Sequence, residues 1–214
     1  MSYWAALFDW DGVVVDSSRP HEISWDRLAE AEGLSLPEGH FQKGFGMKNK
    51  VIIPELLKWT DDTDEIQRLS DKKEELYREV IREAGIEPLT GVREFLEILK
   101  EASVPCVVGT STDRLNVMTI FEMTGLGDYF KDVVSAENVK RGKPDPEVFQ
   151  IAAQKAGDFS PEKCVVFEDA QVGVDAGKAA GMKVVGVRGF LKNTDRIVER
   201  LDELSLGEIG KWFE

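Results

Sequence analysis

From residue 92 onward, short valine-rich apolar runs alternate with longer stretches in which apolar residues recur every three or four positions. The runs at 4–8, 104–109, 132–135, 164–167 and 183–187 are each bounded by Gly, Pro or polar residues. That is the pattern of strands buried on both faces. Between them, Val92, Phe95, Leu96 and Leu99 fall on one face of a helix over 92–101. Asp145 before Pro146, and Ser160 before Pro161, read as N-cap and first helical residue. Gly125, Gly157 and Gly181 stand where helices would end. Alternation of this kind predicts an α/β fold: a doubly wound, mainly parallel, Rossmann-like sheet. Residues 17–87 break the rhythm. They carry helical patterns, such as Ile66, Leu69, Leu76, Val80 and Ile81 within 65–83, and no convincing strand. A helical domain over 17–87, inserted into a core of 1–16 and 88–214, is therefore expected.

Composition narrows the setting. The 214 residues carry 27 basic against 40 acidic side chains, a formal net charge of −13. Nucleic acid is not an expected partner, because binding its backbone requires clustered Lys and Arg. Much of the acid, as in 61–83, has the spacing of a solvated helix face. No apolar run approaches the roughly 20 residues needed to cross a bilayer. The opening Met-Ser-Tyr-Trp-Ala lacks a basic region and a long apolar stretch, so secretion is not expected. Cys106 and Cys164 lie in apolar strand runs and read as buried, reduced thiols. These features point to the cytoplasm.

Four segments carry candidate chemistry, each at the end of an expected strand or in the loop after it. Asp9 and Asp11, two apart in Phe8-Asp9-Trp10-Asp11-Gly12, leave the first strand together, and Gly12 lets the chain turn away. An EF-hand is excluded, because its glycine belongs at loop position six and valines fill the ligand positions here. Thr110 and Ser111, after Gly109, offer hydroxyls and free amides to phosphate oxygens, or alternatively cap a helix. Lys143, between Gly142 and Pro144, is either one cation fixed on a stiff loop or a solvent-facing lysine. Glu168 and Asp169 end another valine run, before the small-residue stretch Ala170 to Val174. Adjacent carboxylates repel unless a cation or hydrogen bonds hold them, and hard oxygens suit Mg²⁺; a helix cap is the competing reading. All four lie on the sheet edge where open α/β proteins bind ligands.

In this order the four segments resemble the motifs of the haloacid dehalogenase-like superfamily, with residues 17–87 as a helical cap. The stretch from Asp11 to His21 is similar to the branch that contains β-phosphoglucomutase, phosphoglycolate phosphatase and sugar-phosphate phosphatases. The resemblance implies that Asp9 is a nucleophile forming an aspartyl-phosphate and that Asp11 is the acid and base. Thr110, Ser111 and Lys143 would hold and neutralise the phosphoryl group. Mg²⁺ would be bound by Asp9, the Asp11 carbonyl, Asp169 and Glu168.

In the cap, the same resemblance marks Ser17, His21, Gly46, Lys48 and Lys50 as candidate substrate residues. Within the loop 43–50, Phe45 and Asn49 stand where the mutases have lysine and arginine. The expected function is a Mg²⁺-dependent phosphatase of a small phosphate monoester, of sugar phosphate or phosphoglycolate type, acting as a monomer. The alternative is a sugar phosphomutase of the β-phosphoglucomutase kind. A catalytically idle binding protein would have lost a motif carboxylate or the lysine, and none is missing. A metal-free dehalogenase is disfavoured by Asp11 and the Glu168–Asp169 pair.

Overall fold

The computed structural model describes residues 3–44 and 47–213. Two compact units divide the chain, one of Met1–Asp16 with Glu87–Glu214 and the other of Ser17–Ile86. In chain order the first unit begins with β1 (Ala5–Phe8), and the second holds α1 (Ser18–Glu32), α2 (His40–Gly44), α3 (Asn49–Val51) and α4 (Thr63–Ala84). The first unit resumes with α5 (Val92–Glu101), β2 (Cys106–Gly109), α6 (Arg114–Thr124), β3 (Asp132–Val134) and α7 (Glu147–Gly157). It ends with β4 (Cys164–Glu168), α8 (Gln171–Ala179), β5 (Lys183–Val187), β6 (Arg196–Val198) and α9 (Leu206–Gly210).

The strands form one sheet in the order β3-β2-β1-β4-β5-β6, with every pairing parallel. Period-two alternation explains why both faces are apolar. Ala5 and Leu7 of β1, with Cys164 and Val166 of β4, share a cluster with Val148, Phe149 and Ala152 of α7 and Val174 of α8. Phe8 and Phe167 face the other way, stacked with ring centroids 4.5 Å apart, and Phe95 of α5 closes on Phe167 at 5.5 Å. Helices thus cover both faces.

Because the chain runs from β1 to β2 and β3, then crosses to β4, its direction of winding reverses between β1 and β4. That reversal opens a crevice at the carboxyl ends of these two strands. β6 has no counterpart in the apolar pattern: Arg196 and Ile197 are exposed, and a three-residue edge strand needs only one buried side chain, Val198.

Local signals were followed closely but not to the residue. Gly125 is the left-handed C-cap of α6, whereas α7 is closed by Asp158 at φ 55 rather than by Gly157. Pro146 stands at the N-cap of α7, and Asp145 caps from one position earlier, accepting a 3.0 Å bond from the Glu147 amide. Ser160–Pro161 opens only a single 3₁₀ turn. In the helical unit α1 packs on α4 around Trp25, Leu28, Ile66, Leu69 and Leu76. Asp62 starts α4 by accepting from the amides of Asp64 and Glu65. Among the described residues, no helix is long and apolar enough to cross a membrane.

Candidate active site

Parallel pairing of β1 with β4 sets Phe8 opposite Phe167, and the Asp9 amide donates to the Phe167 carbonyl at 2.9 Å. Asp9 and Glu168 are therefore held side by side at two adjacent strand ends. Carboxylate oxygens of Asp9, Glu168 and Asp169 all lie within 4.8 Å of one another. Lys143 joins them: its ammonium donates to Asp9 Oδ1 at 2.5 Å and to Glu168 Oε1 at 2.6 Å. Only 5% of the Lys143 side chain is exposed, against 11% of the Asp9 side chain and 1% of that of Glu168.

The loop carrying Lys143 is braced from below. Glu147 accepts from the amides of Lys140 and Arg141 at 3.0 and 2.9 Å, Arg141 pairs with Asp145, and the Lys143 ammonium sits 4.9 Å from the Phe149 ring centroid. The solvent-facing reading of this lysine is excluded.

Two glycines make the carboxylate cluster sterically possible. Gly12, at φ +86, lies so close to Asp169 that an added Cβ would stand 1.9 Å from its Oδ2. Gly173, one turn into α8, would place a Cβ 1.6 Å from Glu168 Oε1. Glu168 also accepts from the Ala170 amide at 2.9 Å, which ties the carboxylate to the backbone just before α8. On the other side of β1, β2 ends level with it, Val108 opposite Phe8, so Thr110 and Ser111 emerge at the same edge. Thr110 is buried, and its hydroxyl accepts from the Thr112 amide at 3.1 Å. Asp11 and Ser111 are half-buried.

Burial pushes the Asp9 carboxyl well above its ordinary range; Lys143 opposes that shift, while Glu168, Asp169 and Asp11 add to it. Burial, with Glu168 beside it, lifts Asp169 to about 7. Burial alone would lower the Lys143 ammonium, but Asp9 and Glu168 overcome it and hold its pKa above the usual lysine value. One ammonium thus faces three carboxyl groups. A compact set of hard oxygens with more negative charge than its protein cation can balance fits a divalent ion such as Mg²⁺.

The family model of haloacid dehalogenase-like hydrolases matches residues 4–181. The chain belongs to this family. One relative of this haloacid dehalogenase-like hydrolase is the chloroplastic 5-amino-6-(5-phospho-D-ribitylamino)uracil phosphatase of Arabidopsis thaliana. It is 34% identical over 214 residues, 96% of this chain and 57% of the plant protein, so this chain spans little more than half of that relative's length. A phosphorylated carbohydrates phosphatase of Thermotoga maritima is 30% identical over 200 residues, 91% of this chain and 90% of the relative. The crystal structure of β-phosphoglucomutase from Clostridium difficile superposes with a TM-score of 0.85 at 26% identity, covering 98% of this chain and 96% of that one.

Of the expected cap residues, Ser17, His21, Lys48 and Lys50 are among those described. Gly46 and its neighbour Phe45 lie outside the described residues. Ser17 is buried at the start of α1, its carbonyl accepting from the His21 amide; Lys48 is half-buried and Lys50 is exposed. His21 joins a polar group within the helical unit that the sequence pattern did not suggest. The Lys73 ammonium lies 2.6 Å from His21 Nδ1 and 3.0 Å from Glu74 Oε1, and Glu74 accepts from Asn49 Nδ2 at 2.7 Å. An ammonium only donates, so Nδ1 accepts and Nε2 is left as the ring's donor. His21 also stacks on Tyr77, with centroids 4.0 Å apart. The solvated acidic face expected over 61–83 holds except at Glu74, which turns inward with its neighbour Lys73. A signal was present, since Leu69, Lys73, Leu76, Tyr77 and Val80 share one helical stripe. Trp25 is core, packed against Trp59 at 5.9 Å.

Proposed function

We propose that the chain is a Mg²⁺-dependent phosphatase that hydrolyses a small phosphate monoester, of sugar phosphate or phosphoglycolate type, through an aspartyl-phosphate on Asp9. The supporting observation is the Lys143 ammonium bridging Asp9 and Glu168 at adjacent strand ends. An Asp9 carboxylate oxygen attacks phosphorus as the ester P–O bond breaks, and Asp11 gives its proton to the departing oxygen. Asp11, now ionised, takes a proton from water, whose oxygen attacks the same phosphorus and releases inorganic phosphate and the Asp9 carboxylate. Thr110 and the Ser111 amide hold the phosphoryl oxygens, and Lys143 neutralises them. Asp9, Glu168, Asp169 and the Asp11 carbonyl would hold Mg²⁺, whose charge offsets the repulsion between a carboxylate and a phosphate.

Residues 17–87 would serve as the cap that selects the ester, with Ser17, His21, Gly46, Lys48 and Lys50 as its candidate contacts. The named activities of the Arabidopsis and Thermotoga relatives support a phosphorylated small molecule as substrate.

The mutase reading is favoured by the likeness to the Clostridium enzyme. It is disfavoured by Asn49, which stands where the mutases have arginine and donates to Glu74 and Ser70 within the helical unit. Phosphate release from a panel of phosphorylated metabolites, with and without Mg²⁺, tests the proposal. Asp9→Asn is expected to abolish turnover in a protein that still folds, because Lys143 keeps its pairing with Glu168. Substantial residual turnover in that variant would refute the nucleophile, and rapid isomer formation with negligible free phosphate would favour the mutase.

A further inference from the structure

β5 ends at Val187, and the next residue, Arg188, adopts φ 63. A side chain in this left-handed region costs about 1–2 kcal/mol, and such outliers are kept where the surroundings over-determine them. The Arg188 amide donates to the Val198 carbonyl at 2.7 Å, which fixes the backbone, and Gly189 at φ 70 carries the chain away. The consequence is where the side chain goes: Arg188 Nη2 donates to the backbone carbonyl of Gly12, 176 residues away in sequence.

Gly12 follows Asp11 directly, and its amide donates to the Val15 carbonyl at 2.7 Å. Its Cα side abuts Asp169, where an added Cβ would be 1.9 Å from the carboxylate. The residue is thus wedged against Asp169 on one side and tied to Arg188 on another.

We infer that Arg188 is a positioning residue for the Asp11 turn: by holding the Gly12 carbonyl it fixes where Asp11 presents its carboxyl for proton transfer. This rests on the proposed role of Asp11 as acid and base. Arg188 does not touch the reacting atoms. It also lines an open cleft of about 230 Å³ with Val13, Val92, Val187 and Leu201, so shortening it enlarges space already reached by solvent and leaves no hole in the core.

The test uses two small esters that differ in their need for an acid. p-Nitrophenolate leaves phosphorus readily without a proton, whereas phenolate is a much poorer leaving group. With Mg²⁺ present, Arg188→Met should lower kcat/KM for phenyl phosphate about tenfold or more, and for p-nitrophenyl phosphate less than about threefold. Arg188→Lys and Arg188→Gln, which both keep a donor, should recover most of the loss. Equal losses on the two esters, no loss, or recovery by lysine without glutamine would overturn the inference, the last because charge alone would then be the cause. Asp11→Asn run alongside separates the two claims. If it shows no preference between the esters, the Asp11 role itself fails; if it shows the preference and Arg188→Met does not, only the role of Arg188 is lost.

Discussion

Replacing Lys143 with methionine keeps the apolar stem against Phe149 and deletes the charge. The ammonium lies 2.5 Å from Asp9 and 2.6 Å from Glu168. At an effective dielectric of about 20, each contact is worth roughly 6 kcal/mol before desolvation. The net effect is smaller, because the ions also lose hydration; removing one partner of a buried pair costs about 3–5 kcal/mol. Titration sets an independent bound. A stranded carboxyl takes up a proton instead of remaining charged, which caps the cost at about 1.4 kcal/mol per unit between pH 7 and an ordinary pKa near 4, or about 4 kcal/mol, and at less for Asp9, which burial already raises with Lys143 in place.

The two routes agree, and about 4 kcal/mol corresponds to a fall in Tm of roughly 8–16 °C for a chain of this size. Thermal melts of wild type and Lys143→Met in EDTA at pH 7 measure it. Excess Mg²⁺ should narrow the gap, because binding to the folded form restores positive charge among the carboxylates. The variant should also lose about 10²–10³ in kcat. A metal-free variant melting within about 3 °C of wild type would show that Lys143 is not the cation balancing the cluster.

Gly173→Ala drives a methyl group into the buried Glu168 carboxylate, which can move only by giving up its bonds to Lys143 and the Ala170 amide, and should cost about 1–3 kcal/mol and most of the activity. Gly207→Ala, at a helical site with nothing within 4 Å, is its control and should be neutral or slightly stabilising in the same urea melts. Asp195 tests the sign of a pH effect. Burial raises its carboxyl, but Lys178, the Val184 amide and Lys183 overcome that and hold it below the ordinary range. A carboxyl with a depressed folded pKa stabilises above its unfolded value near 4, and the effect fades as pH falls through the folded one. Asp195→Asn should therefore cost about 1–2 kcal/mol in urea melts at pH 7 and almost nothing near pH 2; an equal penalty at both would refute the assignment.

Periodicity exposed the sheet because β1, β2, β4 and β5 are buried on both faces and cannot be anything but short continuous apolar runs. β6 lacks that constraint, being an edge strand with two exposed side chains, and it left no pattern to read. The carboxylate site was legible for a related reason. Parallel strands deliver their carboxyl ends to one edge, so residues just after separate runs must meet there, whatever the distance between them in sequence. Arg188 shows where this logic stops. It too follows a strand, but its significance lies in a left-handed backbone and a bond to a carbonyl, and main-chain acceptors are alike at every residue. Lys73 is the converse case. Its position on the apolar stripe of α4 was visible, but a lysine there has two outcomes, a snorkelling stem or a buried ammonium. His21 and Glu74, 52 residues and one residue away, decide for the second. Residue type and spacing thus locate groups that must share an edge, while the partners that fix a group's charge state and aim come from contacts that leave no period in the chain.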